Sequence, residues 1–101
     1  MCESKISEIK SLFQEIERDC KWLMNESGLT FLDRAACSLE NMIEISGQMI
    51  IEFNKKGLDD FTYDFRDIEF LLYDPDHMDR VNHTKNIITN LDKVMVLNAA
   101  N

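Results

Sequence analysis

The apolar residues Ile6, Ile9, Phe13, Ile16, Cys20 and Leu23 follow one another by alternating steps of three and four. Such a seam places one side chain per turn on a single face, and it predicts an amphipathic helix over about 4–26. Gly28 comes just past its end, where a left-handed cap favours glycine. Thr30 then reads as the next cap, with Asp33 three residues on in the acid-favouring first turn.

A second seam keeps the same spacing through Leu32, Ala35, Leu39, Met42, Ser46, Met49 and Phe53, and predicts a helix over about 31–56. The run FNKKGL reads as its stop. Lys55 and Lys56 would face the negative end of the helix dipole, Gly57 would take the first non-helical position, and Leu58 would fold back on Phe53. Ala35, Ala36, Ser46 and Gly47 are small enough to let another helix approach closely.

Asp59 or Asp60 is the expected cap of a third helix over about 61–73. A fourth, over about 75–97, would open with Asp74 as cap and Pro75 at its first position. Asp76 and Asp79 would then lie in its first turn, and Val81, Ile87, Ile88, Leu91, Val94 and Met95 would form its apolar face. Strict three-and-four seams joined by short connections predict antiparallel helices crossing at about 20°. The expected fold is therefore an all-α, small antiparallel bundle of about four helices, forming a single domain over 1–101.

Composition supports this and narrows the class. The chain has 101 residues, 45% hydrophobic and 30% charged, which suits a folded domain with its own core. One proline and three glycines leave little turn material, so few and long elements are expected. The polar start MCESKISEIK and the lack of any long apolar run predict neither a signal peptide nor a membrane span. Cys2, Cys20 and Cys37 are odd in number and form no CxxC pair, which predicts reduced thiols and a cytoplasmic protein.

Charge changes the picture most. The formal net charge is −8, and residues 59–79 hold eight acidic side chains against Arg66 alone, or −7. Phe61, Tyr63, Phe65, Phe70 and Tyr73 are threaded through the same stretch. On a helical wheel Phe61, Phe65, Ile68 and Leu72 share the core side, whereas Tyr63, Asp67, Phe70 and Asp74 share the opposite one. Aromatic rings among carboxylates on an outward face suggest a docking surface. The expected partner-binding residues are Asp59, Asp60, Tyr63, Asp64, Asp67, Phe70, Asp74, Asp76 and Asp79. Such a surface repels phosphates and anionic lipid, so direct binding of nucleic acid or membrane is not expected; a basic protein surface is. The bland alternative for the charge is a solvated face that aids solubility.

Chemistry has little foothold. A calcium loop from Asp74 would need glycine at position 79 and glutamate at 85, where the chain has Asp79 and Lys85. Asp79 and His83 stand four apart, too few for a zinc site, and an ordinary histidine–aspartate pair is the simpler reading. Nothing in the sequence places His77 or His83 beside a nucleophile, and no glycine-rich phosphate loop is present. NHT at 82–84 matches a glycosylation acceptor by chance. No catalytic residue, metal or cofactor is expected.

Residues 57–69 read GLDDFTYDFRDIE. Gly57, Leu58, the acidic pair Asp59–Asp60, Arg66 and Ile68, preceded by a long helix, resemble a segment of a family of small phage-encoded anti-CRISPR proteins. The resemblance implies an all-helical homodimer that binds the helicase-nuclease of a type I-E CRISPR system. Two functions then compete. One is an inhibitor that occupies a basic surface on a nucleic-acid-processing protein: an anti-CRISPR, antitoxin or immunity-type protein. The other is a structural, adaptor or chaperone-like subunit whose third helix is permanently buried. The two long seams, the small residues of the second helix and the two-sided third helix also predict a homodimer.

Overall fold

A computed structural model describes residues 2–28 and 33–100. Four α-helices and one 3-10 helix make up the described residues, with no strand among them. Helix α1 spans Glu3–Asn25, α2 Asp33–Ile51, α3 Lys55–Phe65 and α4 Met78–Ala99; the 3-10 helix, Glu69–Tyr73, lies between α3 and α4. The fold is the expected all-α bundle.

Helix α1 is the hub. Its seam is fully buried at Ile9, Phe13, Ile16, Cys20 and Leu23, while Ile6 at the open end is half-buried. It packs between α2 and α4; α3 rests on α2, and the 3-10 helix rests on α4. The directions follow from the ends that meet. Lys5 Nζ, near the start of α1, donates to the Ala100 carbonyl at 2.9 Å, just past the end of α4. At the other end Arg80 Nε donates to the Ser27 carbonyl at 3.1 Å. Lys10 Nζ likewise reaches the Ile51 carbonyl, the last residue of α2, at 3.0 Å. Both neighbours therefore run antiparallel to α1. Phe13 of α1 meets Phe61 of α3 edge to face, with ring centroids 5.7 Å apart. Such a pair adds about 0.5–1.5 kcal/mol beyond the area it buries.

Gly28 adopts φ +72°, the left-handed cap its position suggested. Thr30 and Leu32 lie outside the described residues. In α2 the seam residues Ala35, Leu39, Met42, Ser46 and Met49 are buried, and the Ser46 hydroxyl is satisfied by the Met42 carbonyl at 2.7 Å. Gly47 faces α1, where a Cβ would sit 3.4 Å from Glu17 Oε2.

Three boundaries differ from expectation, each for a local reason. Helix α2 ends at Ile51, not near 56, because Asn54 caps a new helix: its Oδ1 accepts from the Gly57 N–H at 2.7 Å. Lys55, Lys56 and Gly57 thus open α3 instead of closing α2. The cation at the end of α2 comes from α1, through Lys10. Phe53 and Leu58 flank the cap at the positions of a hydrophobic staple; Leu58 is part of the core and the half-buried Phe53 packs against it.

The third helix is correspondingly early. Neither Asp59 nor Asp60 caps it, and it stops being α at Phe65 instead of running to 73. From Tyr63 onward the backbone bonds join residues three apart: Arg66 to Tyr63, Asp67 to Asp64, Ile68 to Phe65 and Leu71 to Ile68. A three-residue turn puts Phe65, Ile68 and Leu71 on one line. Leu71 is accordingly buried against the core, and Leu72, the expected core residue, is only half-buried.

Helix α4 begins at Met78, three residues later than expected. Pro75 falls in a turn closed by the bond from the His77 N–H to the Asp74 carbonyl, 3.1 Å. Asp74 does not cap the helix; its carboxylate holds His77 Nδ1 at 2.8 Å, with the Arg80 guanidinium 3.8 Å away. Asp79 does occupy the first turn. Val81, Ile87, Leu91 and Val94 are buried, Ile88 is half-buried, and Met95 is exposed. Thr84 and Asn90 complete the buried face, Thr84 by donating its hydroxyl to the Arg80 carbonyl at 2.7 Å.

No helix among the described residues is long and apolar enough to cross a membrane. The three thiols are unpaired: Cys20 is buried, and Cys2 and Cys37 are exposed.

Candidate functional site

The change from α to 3-10 geometry decides what the acidic stretch presents. With residues 65, 68 and 71 turned inward, the three-residue period brings Phe70 and Tyr73 together on an outward ridge. Phe70 is 56% exposed and Tyr73 80%. The wheel that grouped Tyr63, Asp67, Phe70 and Asp74 assumed one continuous α-helix; in the folded chain these four do not form a single face.

Two of the expected carboxylates are engaged within the fold. Asp67 receives Arg34 Nε at 2.8 Å and the Ser38 hydroxyl at 2.7 Å, both from α2. This ties the turn after α3 to the start of α2. Asp74 holds His77 and stands near Arg80, which anchors the entry to α4. Asp59, Asp60, Asp76 and Asp79 are exposed, and so is Glu69 on the 3-10 helix. The acidic–aromatic surface therefore has two parts. One is the Phe70–Tyr73 ridge, with Asp76 and Asp79 following it in the chain.

The other part is a cleft of about 360 Å³ between α2 and α3. Asn41, Glu44, Ile45 and Gln48 form its α2 wall, spaced so that all four share one flank; Asp60, Tyr63 and Asp64 form the α3 wall. Tyr63 is 63% exposed there. Burial pushes the Asp64 carboxyl up from its ordinary value, the charges of Asp67 and Asp60 push the same way, and a hydrogen bond from Asn41 opposes them. Asn41, Glu44 and Gln48 had drawn no notice in the sequence. Their signal was there, as the polar flank of α2 repeating at three and four residues, but nothing in one chain says which flank faces another helix.

His83 also finds a different partner from its neighbour Asp79. Its Nδ1 lies 2.7 Å from Asp19 Oδ1 on α1, and its ring stacks on Trp22 with centroids 3.9 Å apart and planes at 14°. Asp19 is nearly buried, which makes its charge the better partner. Two aromatic planes and a charged acceptor thus fasten α4 to α1. Among the described residues no group of three or more histidine, cysteine or acidic side chains is arranged to hold a metal ion.

No protein-family model matches this chain, nor does any curated protein or solved structure.

Proposed function

We propose that this chain is a small acidic binding protein that inhibits a nucleic-acid-processing protein by covering its basic surface. The reading rests above all on the Phe70–Tyr73 ridge. Two large rings stand in water in a stretch where Glu69, Asp76 and Asp79 are exposed and, among the described residues, pair with no cation, while Phe65, Ile68 and Leu71 of the same segment are buried. In such a surface the charges of Asp59, Asp60, Asp76 and Asp79 accelerate encounter with a basic partner, and the rings hold the complex once formed. The protein acts by occupancy and not by catalysis. A CRISPR effector is one candidate partner, on the resemblance of residues 57–69 to phage anti-CRISPR proteins. Reduced thiols at Cys2 and Cys37 fit work in the cytoplasm. The inhibitor is a homodimer in this reading, with a light-scattering mass about twice the 11.8 kDa of one chain.

Affinity capture from native host cells, followed by reconstitution with the captured protein, tests the reading. The expected partner is basic, handles nucleic acid, and loses its DNA or RNA binding when this chain is added in stoichiometric amount. Phe70→Ala and Tyr73→Ala should leave the free protein folded and speed dissociation. An acidic partner, or one whose nucleic-acid activity is unchanged in the complex, would refute the proposal. If either substitution instead unfolds the free protein or separates a dimer, the ridge is a subunit contact and the adaptor reading replaces it.

A further inference from the structure

The ridge explains how a partner is held but not how a basic partner is told from any other cation-bearing surface. The cleft between α2 and α3 supplies a selective element. Its carboxylates are Glu44, Asp60 and Asp64, with no lysine or arginine among the lining residues. One wall is the exposed ring of Tyr63. The opposite wall carries the amides of Asn41 and Gln48, whose carbonyl oxygens accept hydrogen bonds. The space, about 360 Å³, is larger than one side chain and smaller than a folded element.

We infer that this cleft receives an arginine side chain of the partner, stacked on Tyr63 and paired with the Asp60 and Asp64 carboxylates. The inference deepens the inhibitor reading and rests on it. Three features favour guanidinium over ammonium. A planar cation can lie flat on an aromatic face while its edge bonds a carboxylate with two parallel N–H donors. Its weaker hydration lowers the cost of entering a partly closed space. Its five donors can also reach acceptors on both walls, where a lysine ammonium offers three from one point. Asp64 adds a reason for any cation. Crowded by burial and by the like charges of Asp67 and Asp60, its carboxylate is stabilised by an arriving positive charge. The cleft lies on α3, held in place by the Asn54 cap and the Phe13–Phe61 contact, so it is formed before a partner arrives.

The test uses the whole chain and short peptides of alternating glycine with arginine, lysine or citrulline, followed by NMR at moderate salt. The arginine peptide should shift the amide signals of Asn41, Glu44, Gln48, Asp60, Tyr63 and Asp64 and bind about fivefold more tightly than the lysine peptide. Citrulline should not bind. Asp64→Asn and Tyr63→Leu should each weaken the arginine peptide by about three- to fivefold, the size of one exposed ion pair or one cation–π contact. Glu15→Gln and Asp92→Asn, at exposed sites on α1 and α4, make the same change in net charge as Asp64→Asn but outside the cleft, and should alter affinity less than about twofold. Equal losses from all four substitutions, or equal affinity for lysine, would overturn the inference, because a diffuse acidic field would then suffice. The unfolding curve of each variant shows whether a loss reflects misfolding; Tyr63→Leu, at an exposed site, keeps the test alive if Asp64→Asn perturbs the fold. The two proposals fail separately. If the cleft variants inhibit the captured partner as well as the parent does, while Phe70→Ala does not, the arginine site is wrong and the inhibitor reading stands.

Discussion

Replacing Asp67 by alanine should destabilise the free protein by about 2 kcal/mol, although the residue sits in the middle of a surface rich in acid. Its carboxylate makes two contacts of unequal worth. The Ser38 hydroxyl, at 2.7 Å, belongs to a residue only 3% exposed, and a hydrogen bond to a charged group contributes about 1.5–3 kcal/mol. Part of that loss is recoverable, since a helical serine can turn its hydroxyl to the carbonyl four residues back, as Ser46, Thr62 and Thr84 do in this fold. Arg34 Nε is as close, at 2.8 Å, but the arginine side chain is 78% exposed, and an exposed pair contributes about 0.2–1 kcal/mol. Arg34→Ala should therefore cost less than about 0.5–1 kcal/mol, and Asp67→Ala clearly more. Urea unfolding followed by circular dichroism measures both, and for a domain of this size the aspartate loss corresponds to about 10 °C in melting temperature. A double-mutant cycle of Asp67→Ala with Ser38→Ala should show coupling greater than the cycle with Arg34→Ala. Asp67→Ala within about 0.5 kcal/mol of the parent, or Arg34→Ala equally costly, would refute the reasoning, because the turn would then be held by packing alone.

Leu39→Ala, at a fully buried seam position of α2, should cost about 2–5 kcal/mol in the same unfolding assay, and a change below about 0.5 kcal/mol would remove it from the core. Asp64→Asn should raise the melting temperature at pH 7. Burial, aided by Asp67 and Asp60, makes the folded chain hold the Asp64 proton more tightly than the unfolded chain does. The ionised group thus subtracts from stability at neutral pH, and the penalty fades as pH falls through the folded value to the ordinary carboxylate range near about 4. Melting curves of parent and variant should accordingly converge in acid, and a gain that persisted there would have another cause. Thiol titration of the native protein should modify Cys2 and Cys37 at once, Cys2 first because its hydrogen bonds with Ser4 and the Lys5 N–H favour the thiolate. Cys20, whose burial pushes its thiol up, should react only on unfolding; rapid modification of all three would contradict the packing of α1.

The bundle was legible because in α1, α2 and α4 the period of the apolar residues coincides with what the core buries. Where two periods fit the same residues, one chain could not choose between them. Phe65 and Ile68 suit a step of three continuing to Leu71 and a step of four continuing to Leu72, and both leucines are apolar. Packing of the 3-10 helix on α4 selects Leu71, and that choice also rotates Phe70 and Tyr73 outward together. Gly57 was ambiguous in a different way. Glycine suits the end of a helix through its backbone freedom, but here it stands in a first turn, where its N–H meets the Asn54 cap and Met49 Sδ lies 2.8 Å from where a Cβ would be. Of the residues expected to bind a partner, Asp67 and Asp74 are engaged within the fold as internal fasteners. The cation of Asp67, Arg34, lies in another segment, and pairing across segments leaves no periodic trace.

Lys5 and Lys10 tie together parts of the chain that are far apart in sequence. The two lysines of α1 reach the terminal carbonyls of α4 and α2, which lie on either side of it. The bond to Ile51 spans 41 residues of chain and that to Ala100 spans 95. Closing α1 against α4 therefore fixes a longer loop than closing it against α2, and the entropy lost in closure grows with loop length. Opening of α4 alone would bare the apolar seam of α1 on that flank, and such transiently exposed surface is what aggregation uses.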